Sequence, residues 1–168
     1  MEKIWSAKHV RNELKLNIFN ASVISVFLYG CETWIVSSKM TSEINSFATS
    51  CYRIMLGIKR IQKVPNAHIY EQIGAEPLIY TVQKRQLRWI GHALRRDASE
   101  PSRIFALYEP AKSHGQVKAG RPPPSYRLYI ASLLTSNPKD LTDKQIVDMA
   151  SNKTAWDMRV ADIGKLSR

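Results

Sequence analysis

The chain has only two cysteines, Cys31 and Cys51, and neither stands in a CxxC pair. Its four histidines (His9, His68, His92, His114) are scattered. A structural zinc site needs closely spaced ligand pairs, so no metal is expected. The thiols read as reduced core residues, which suits an intracellular protein of the nucleus or cytoplasm. Carboxylates are also sparse: the six aspartates (Asp97, Asp140, Asp143, Asp148, Asp157, Asp162) include no adjacent pair. A two-metal nucleotidyl-transfer site gathers carboxylates around paired ions. Asp140, Asp143 and Glu109 are the set with any prospect of converging, and Asp143 already fits as a first-turn helix residue favoured by the helix dipole. There is no G-x-S-x-G elbow, no H-E-x-x-H pair and no G-x-x-x-x-G-K loop. Cys31 with His68 makes a nucleophile–base pair by residue type alone, and buried thiols are usually inert. The longest apolar run, Val23–Gly30, is too short to cross a bilayer, and no charged-then-apolar leader opens the sequence. No catalytic residue, no cofactor and no membrane partner are therefore expected.

What the chain does have is positive charge in one place. Its 168 residues carry a formal charge of +11. Residues 1–80 hold nine Lys or Arg against six carboxylates, residues 81–139 eleven against three, and residues 140–168 five against five. Such focusing suits a polyanion-binding surface better than general solubility. Its densest part is Thr81–Arg96, TVQKRQLRWIGHALRR, with five cations and no acid. At 100° per residue, Lys84, Arg88, His92 and Arg95 share one stripe, flanked by Arg85 and Arg96. Val82, Leu87, Trp89, Ile90, Ala93 and Leu94 form the other side, interrupted by Gln83 and Gln86. One face can dock on a core while the other presents cations to phosphates. A solvated basic face without a ligand is the plain alternative.

The rest of the pattern predicts an all-α protein. Val10, Leu14, Ile18, Ala21, Ile24 and Leu28 recur at helical spacing over 6–29, and the second half, apolar nearly all round, is expected to be buried. The run VISVFLY is also β-branched and aromatic enough for a strand, but its periodic lead-in favours helix. Helices are expected over Thr41–Gly57, after Pro65 as far as Gly74, and over Tyr126–Leu134. Residues 97–124 hold Pro101, Pro110, Gly115, Gly120 and the run Pro122–Pro124, a composition read here as unable to sustain a helix. Lys112, His114, Lys118 and Arg121 make that loop basic: either a plain linker or a segment that orders on a phosphate backbone. Thr142 and Gln145 have capping-box spacing, and Leu141 and Ile146 hydrophobic-staple spacing. A last helix is expected to break near Asn152. The expected organisation is a helical region over 1–96, the basic loop over 97–124 and a C-terminal helical segment over 125–168.

Four segments in order carry a resemblance: VFLYGCETW (Val26–Trp34), CYRIMLGI (Cys51–Ile58), QLRWIGHALRR (Gln86–Arg96) and AGRPPPSY (Ala119–Tyr126). Together they resemble the C-terminal region of non-LTR (LINE-type) retrotransposon reverse transcriptases, over roughly residues 3–163. Gly120-Arg121-Pro122 resembles that family's GRP loop, and Trp156 its late tryptophan helix. Pro123-Pro124 stand where the family usually has basic residues. The resemblance implies a fold like the helical thumb and the connector beyond it, an irregular bundle that grips a template–primer duplex, template RNA or an RNA–DNA hybrid. The family's polymerase aspartates, and the Mg2+ they hold in the complete polymerase, lie in a palm with a Y-x-D-D type motif. That motif and the family's endonuclease are absent from this sequence, which reads as a truncated, non-catalytic fragment opening at Met1.

These readings converge on nucleic-acid binding through phosphate contacts by Lys84, Arg85, Arg88, Arg95, Arg96, Lys118 and Arg121. Contacts of this kind give affinity without sequence preference. The alternative from another class is a protein-interaction module or inert transposon relic, whose exposed thumb surface self-associates. Residual nuclease or polymerase activity is the third reading, and it requires a divalent metal.

Overall fold

A computed structural model describes residues 4–5, 7, 9–109 and 125–165. Among them the protein is all-α: helices of up to nineteen residues alternate with short turns, and no strand occurs. No helix among the described residues is long and apolar enough to cross a membrane. Contacts divide the chain into two compact units. One comprises residues up to Gly30 with Ser37–Val82. The other comprises Cys31–Val36 with the described residues from Gln83 onward. The Cys31–Val36 backbone is bonded to side chains of the later unit.

The first unit opens with α1 (Asn12–Phe19), which runs on through a π-helical turn (Asn20–Ile24) and one more α turn (Ser25–Phe27). Helix therefore prevails over strand in VISVFLY. The hydroxyls of Ser22 and Ser25 donate to the carbonyls of Ile18 (2.5 Å) and Ala21 (2.6 Å), four residues back. Such back-bonding competes with the regular ladder and bends helices. The buried stripe is Lys15, Phe19, Ile24 and Leu28, a spacing of four, five and four with its long step inside the π turn. Strict 3.6-residue periodicity assigned the stripe to Val10, Leu14, Ile18, Ala21, Ile24 and Leu28, of which Ile24 and Leu28 are buried. By contrast Leu14 is 52% exposed, and Val26 and Tyr29 reach 74% and 87%. The second half of this helix is thus not buried all round as expected.

Lys15 is buried in place of Leu14 because its ammonium has an acceptor. It donates to the Met55 carbonyl at 3.0 Å, in the last turn of α2 (Ser38–Leu56). Cations are favoured at helix C-termini, where carbonyls lack partners. Helix α2 opens on Ser37, whose hydroxyl accepts from the Met40 N–H at 3.2 Å. It closes on Gly57 at φ 69°, where the Gly57 and Ile58 N–H groups return to the carbonyls of Ile54 and Arg53. That closing geometry needs a left-handed residue, hence glycine. α3 (Asn66–Ile73) follows Pro65 as expected. The aromatic core of this unit has Phe19 at its centre, with Trp5, Phe47 and Tyr52 at ring distances of 5.7–6.4 Å.

α4 (Leu78–Leu94) is the basic helix. Its early Ile79 N–H is taken by the Asn45 side chain of α2 at 3.1 Å, a cap supplied from another helix. Next comes α5 (Pro101–Ala106), inside the stretch read as unable to form a helix. Pro101 occupies its first position, where a missing N–H is harmless and the fixed φ suits the helix. α6 (Tyr126–Leu134) spans the expected residues. α7 (Asp143–Ser151) has the expected capping box: Thr142 Oγ1 accepts from the Gln145 N–H, and Gln145 Oε1 from the Thr142 N–H. α7 then gives way at Asn152, as expected, to α8 (Lys153–Asp162), with Asn152 Oδ1 accepting from the Ala155 N–H at 3.1 Å. Leu87, Ile90, Leu94, Ile130, Ile146, Trp156 and Val160 form the core of this unit.

Candidate nucleic-acid interface

The buried side of α4 from Gln83 onward is fastened by polar bonds as well as apolar packing. Gln86 is fully buried. Its amide nitrogen donates to the Cys31 carbonyl at 2.8 Å and the Trp34 carbonyl at 2.9 Å, and its oxygen accepts from the Tyr129 hydroxyl at 2.7 Å. The residue that looked like an interruption of the apolar face thus joins three segments of the unit. One residue on, Trp156 Nε1 donates to the Leu87 carbonyl at 2.8 Å. The indole lies flat over Gly91: a Cβ built there would come within 2.2 Å of Nε1. These bonds fix the rotation of α4 about its axis and so decide which cations meet water. Trp89 is half-buried and packs on the core, so its ring is committed to packing rather than to stacking on bases.

The exposed side carries a ridge of residues four apart: Lys84, Arg88, His92 and Arg96. Arg88, His92 and Arg96 are exposed and Lys84 is half-buried. Side chains at this spacing line up along one helix face. Arg96 donates from Nε to His92 Nε2 at 3.2 Å, and its Nη2 lies 3.0 Å from the same nitrogen. The nearest acid along the chain, Asp97, is exposed and already occupied. It accepts from the Ser99 N–H (2.9 Å) and hydroxyl (2.7 Å), and these bonds, with a smaller contribution from Arg103, hold its carboxyl below the usual carboxylate range. Arg103 Nη1 donates to the Arg96 carbonyl at 2.6 Å and ties α5 to the end of the ridge.

Two of the expected contacts sit differently. Arg95 is half-buried and donates from Nη1 to the Ala150 carbonyl at 2.9 Å, near the C-terminus of α7. Arg85 is half-buried beside the Cys31 thiol. Burial pushes that thiol up, with Glu32 adding to the effect and Arg85 opposing it. Lys118 and Arg121, like Lys112 and His114, lie outside the described residues. Among the described residues the ridge itself consists of Lys84, Arg88 and Arg96, with His92 between the two arginines.

The carboxylates that were candidates for converging have separate partners. Asp143 accepts from Arg127 Nε at 2.7 Å, and Glu109 accepts from the Ser125 hydroxyl. Among the described residues no group of three His, Cys, Asp or Glu is placed to hold a metal ion. Averaging charge over residues 1–80 hid a second cationic feature, the turn Lys59–Lys63. Its lysines and arginine are too few to raise the regional total, yet all are exposed. No protein-family model, curated protein or solved structure matches the chain at a significant level.

Proposed function

We propose that this chain is a non-catalytic nucleic-acid-binding protein of reverse-transcriptase descent, which grips the backbone of template RNA or a template–primer duplex. The observation that carries this reading is the α4 ridge. Lys84 and Arg88 stand four residues apart and Arg96 eight further on, on one side of a helix without carboxylates, and Gln86 and Trp156 hold the opposite side in place. On a rise of about 1.5 Å per residue, Lys84 and Arg88 are about 6 Å apart along the axis and Arg96 about 12 Å further, close to one and two steps between successive phosphates along a strand. Phosphate contacts position a protein without reading sequence, so the expected preference is for backbone form rather than base identity. The segments that resemble non-LTR reverse transcriptases supply the suggestion of RNA or hybrid as partner. The protein works without a metal or cofactor of its own in this reading.

The test is a binding titration at several salt concentrations on RNA, RNA–DNA hybrid and DNA duplexes. With three contacts the slope of log K against log salt is about −2.7, so affinity falls about 40-fold between 50 and 200 mM. Two further contacts from Lys118 and Arg121 would raise that to about 500-fold. A slope near zero, or self-association without retention on nucleic acid, would refute the proposal and favour the protein-interaction reading.

A further inference from the structure

The turn Lys59–Lys63, in the first unit, is built to hold one apolar side chain out in water among cations. Arg60–Gln62 form a single 3-10 turn. The Gln62 side chain accepts from the Lys59 N–H at 2.6 Å, while the Gln62 and Lys63 N–H groups return to the carbonyls of Lys59 (3.0 Å) and Arg60 (3.1 Å). Lys63 leaves the turn at φ 50°, a left-handed conformation rare for a side chain of this kind. The exit is pinned by Arg53, whose Nη2 donates to the Val64 carbonyl at 2.6 Å and to Asn66 Oδ1 at 3.0 Å. At the tip of this braced loop Ile61 is 84% exposed, with Lys59, Arg60 and Lys63 exposed around it. Ile61 thus buries little of its side chain against the rest of the described residues.

We infer that this turn is a second nucleic-acid contact, in which Ile61 wedges between base pairs from the minor groove of duplex DNA while Lys59, Arg60 and Lys63 take the flanking phosphates. Minor-groove proteins insert single aliphatic side chains at a base step in this way and unstack it. Flexible pyrimidine–purine steps yield most easily. The same combination of cations and one aliphatic tip also suits an anionic bilayer in principle. Membrane anchoring, however, scales with buried apolar area, and one isoleucine supplies little, whereas one wedge is sufficient for a base step. The inference does not depend on the α4 ridge, which lies in the other unit.

The experiment uses the full chain and a short DNA duplex carrying 2-aminopurine at a central TA step. Binding of the wild-type protein is expected to raise 2-aminopurine fluorescence as the step unstacks. Ile61→Ala and Ile61→Ser should abolish most of that rise at saturation while keeping the salt slope. Lys59→Gln/Arg60→Gln/Lys63→Gln should flatten the slope by about 2.7. Because all four positions are exposed, the variants should melt with the parent, which circular dichroism verifies. Arg88→Glu/Arg96→Glu should weaken overall binding and leave the rise per bound complex intact. A rise unchanged in both Ile61 variants, no rise in the wild type, or binding to phosphatidylserine vesicles with none to DNA would each overturn the inference. The ridge is judged separately, by its own slope on RNA and hybrid.

Discussion

Alanine normally stabilises an exposed or neutral helix position relative to glycine by about 1 kcal/mol. At Gly91 the sign should reverse. An alanine Cβ there would lie 2.2 Å from Trp156 Nε1, 2.6 Å from Cδ1 and 2.8 Å from Cε2. Those contacts are with the rigid body of an indole that is 1% exposed, so the ring must move as a whole. Moving it overpacks the core, at about 1–3 kcal/mol. It also breaks the bond from Nε1 to the Leu87 carbonyl and leaves both groups short of a partner, at about 1–3 kcal/mol more. Set against the gain of about 1 kcal/mol in helix propensity, Gly91→Ala should lose about 1–5 kcal/mol. For a chain of this length that lowers Tm by roughly 2–20 °C. Urea denaturation of the parent, Gly91→Ala, Trp156→Phe and the double variant would measure it. The smaller phenyl ring removes the clash and the indole N–H together, so the double variant should be more stable than the sum of the single losses predicts. Gly91→Ala as stable as the parent, or additive energies in the cycle, would refute the packing argument.

Gln86→Leu should cost about 3 kcal/mol or more in denaturant melts, since it strands the Cys31 and Trp34 carbonyls and the Tyr129 hydroxyl. Arg88→Gln and Arg95→Gln should separate by assay. The first reduces the salt slope of binding by about 0.9 and leaves Tm unchanged, and the second lowers Tm because Arg95 serves the Ala150 carbonyl. Alkaline pH should unfold the protein early. Burial, the largest cause in each case, pushes the hydroxyls of Tyr52 and Tyr129 up to about 12 from 10.0, and raises Tyr126 further. The unfolded chain gives up these protons first, so the stability present below pH 10 is lost as pH rises from 10 through 12. The loss is at most about 1.4 kcal/mol per pH unit for each tyrosine, less what water screens. Melting temperature against pH between 8 and 12 reads it, and a flat profile would contradict the burial.

Local chemistry was the legible part of the sequence. Thr142 and Gln145, Gly57 after α2 and Asn152 between α7 and α8 depend on neighbours within a few residues, and each stands where its type predicts. Rotation of α1 was not legible, because one extra residue in a turn breaks the 3.6 periodicity by which Leu14 was assigned to the buried stripe. Only the distant Met55 carbonyl makes Lys15 the better buried residue. Gln86 shows the same limit from the other side: its three partners lie 43 to 55 positions away. Pro101 was read by composition, where its place at the head of a helix mattered more. Within the basic helix, spacing placed Lys84, Arg88 and Arg96 outward. It had no means of knowing that the end of α7 would be near enough to occupy Arg95.

The π turn in the first helix has an evolutionary meaning. Phe19 and Ile24 are five apart where the neighbouring buried pairs are four apart, so the helix already accommodates what amounts to a one-residue insertion. Excision of one residue between them, Ala21 for example, would restore an even four-residue stripe and relax the turn to ordinary α geometry. Elsewhere in the fold a lost residue turns every later side chain by about 100° away from its core. Loss of one residue should therefore be best tolerated between Phe19 and Ile24, a seam at which the chain can shorten and keep its packing.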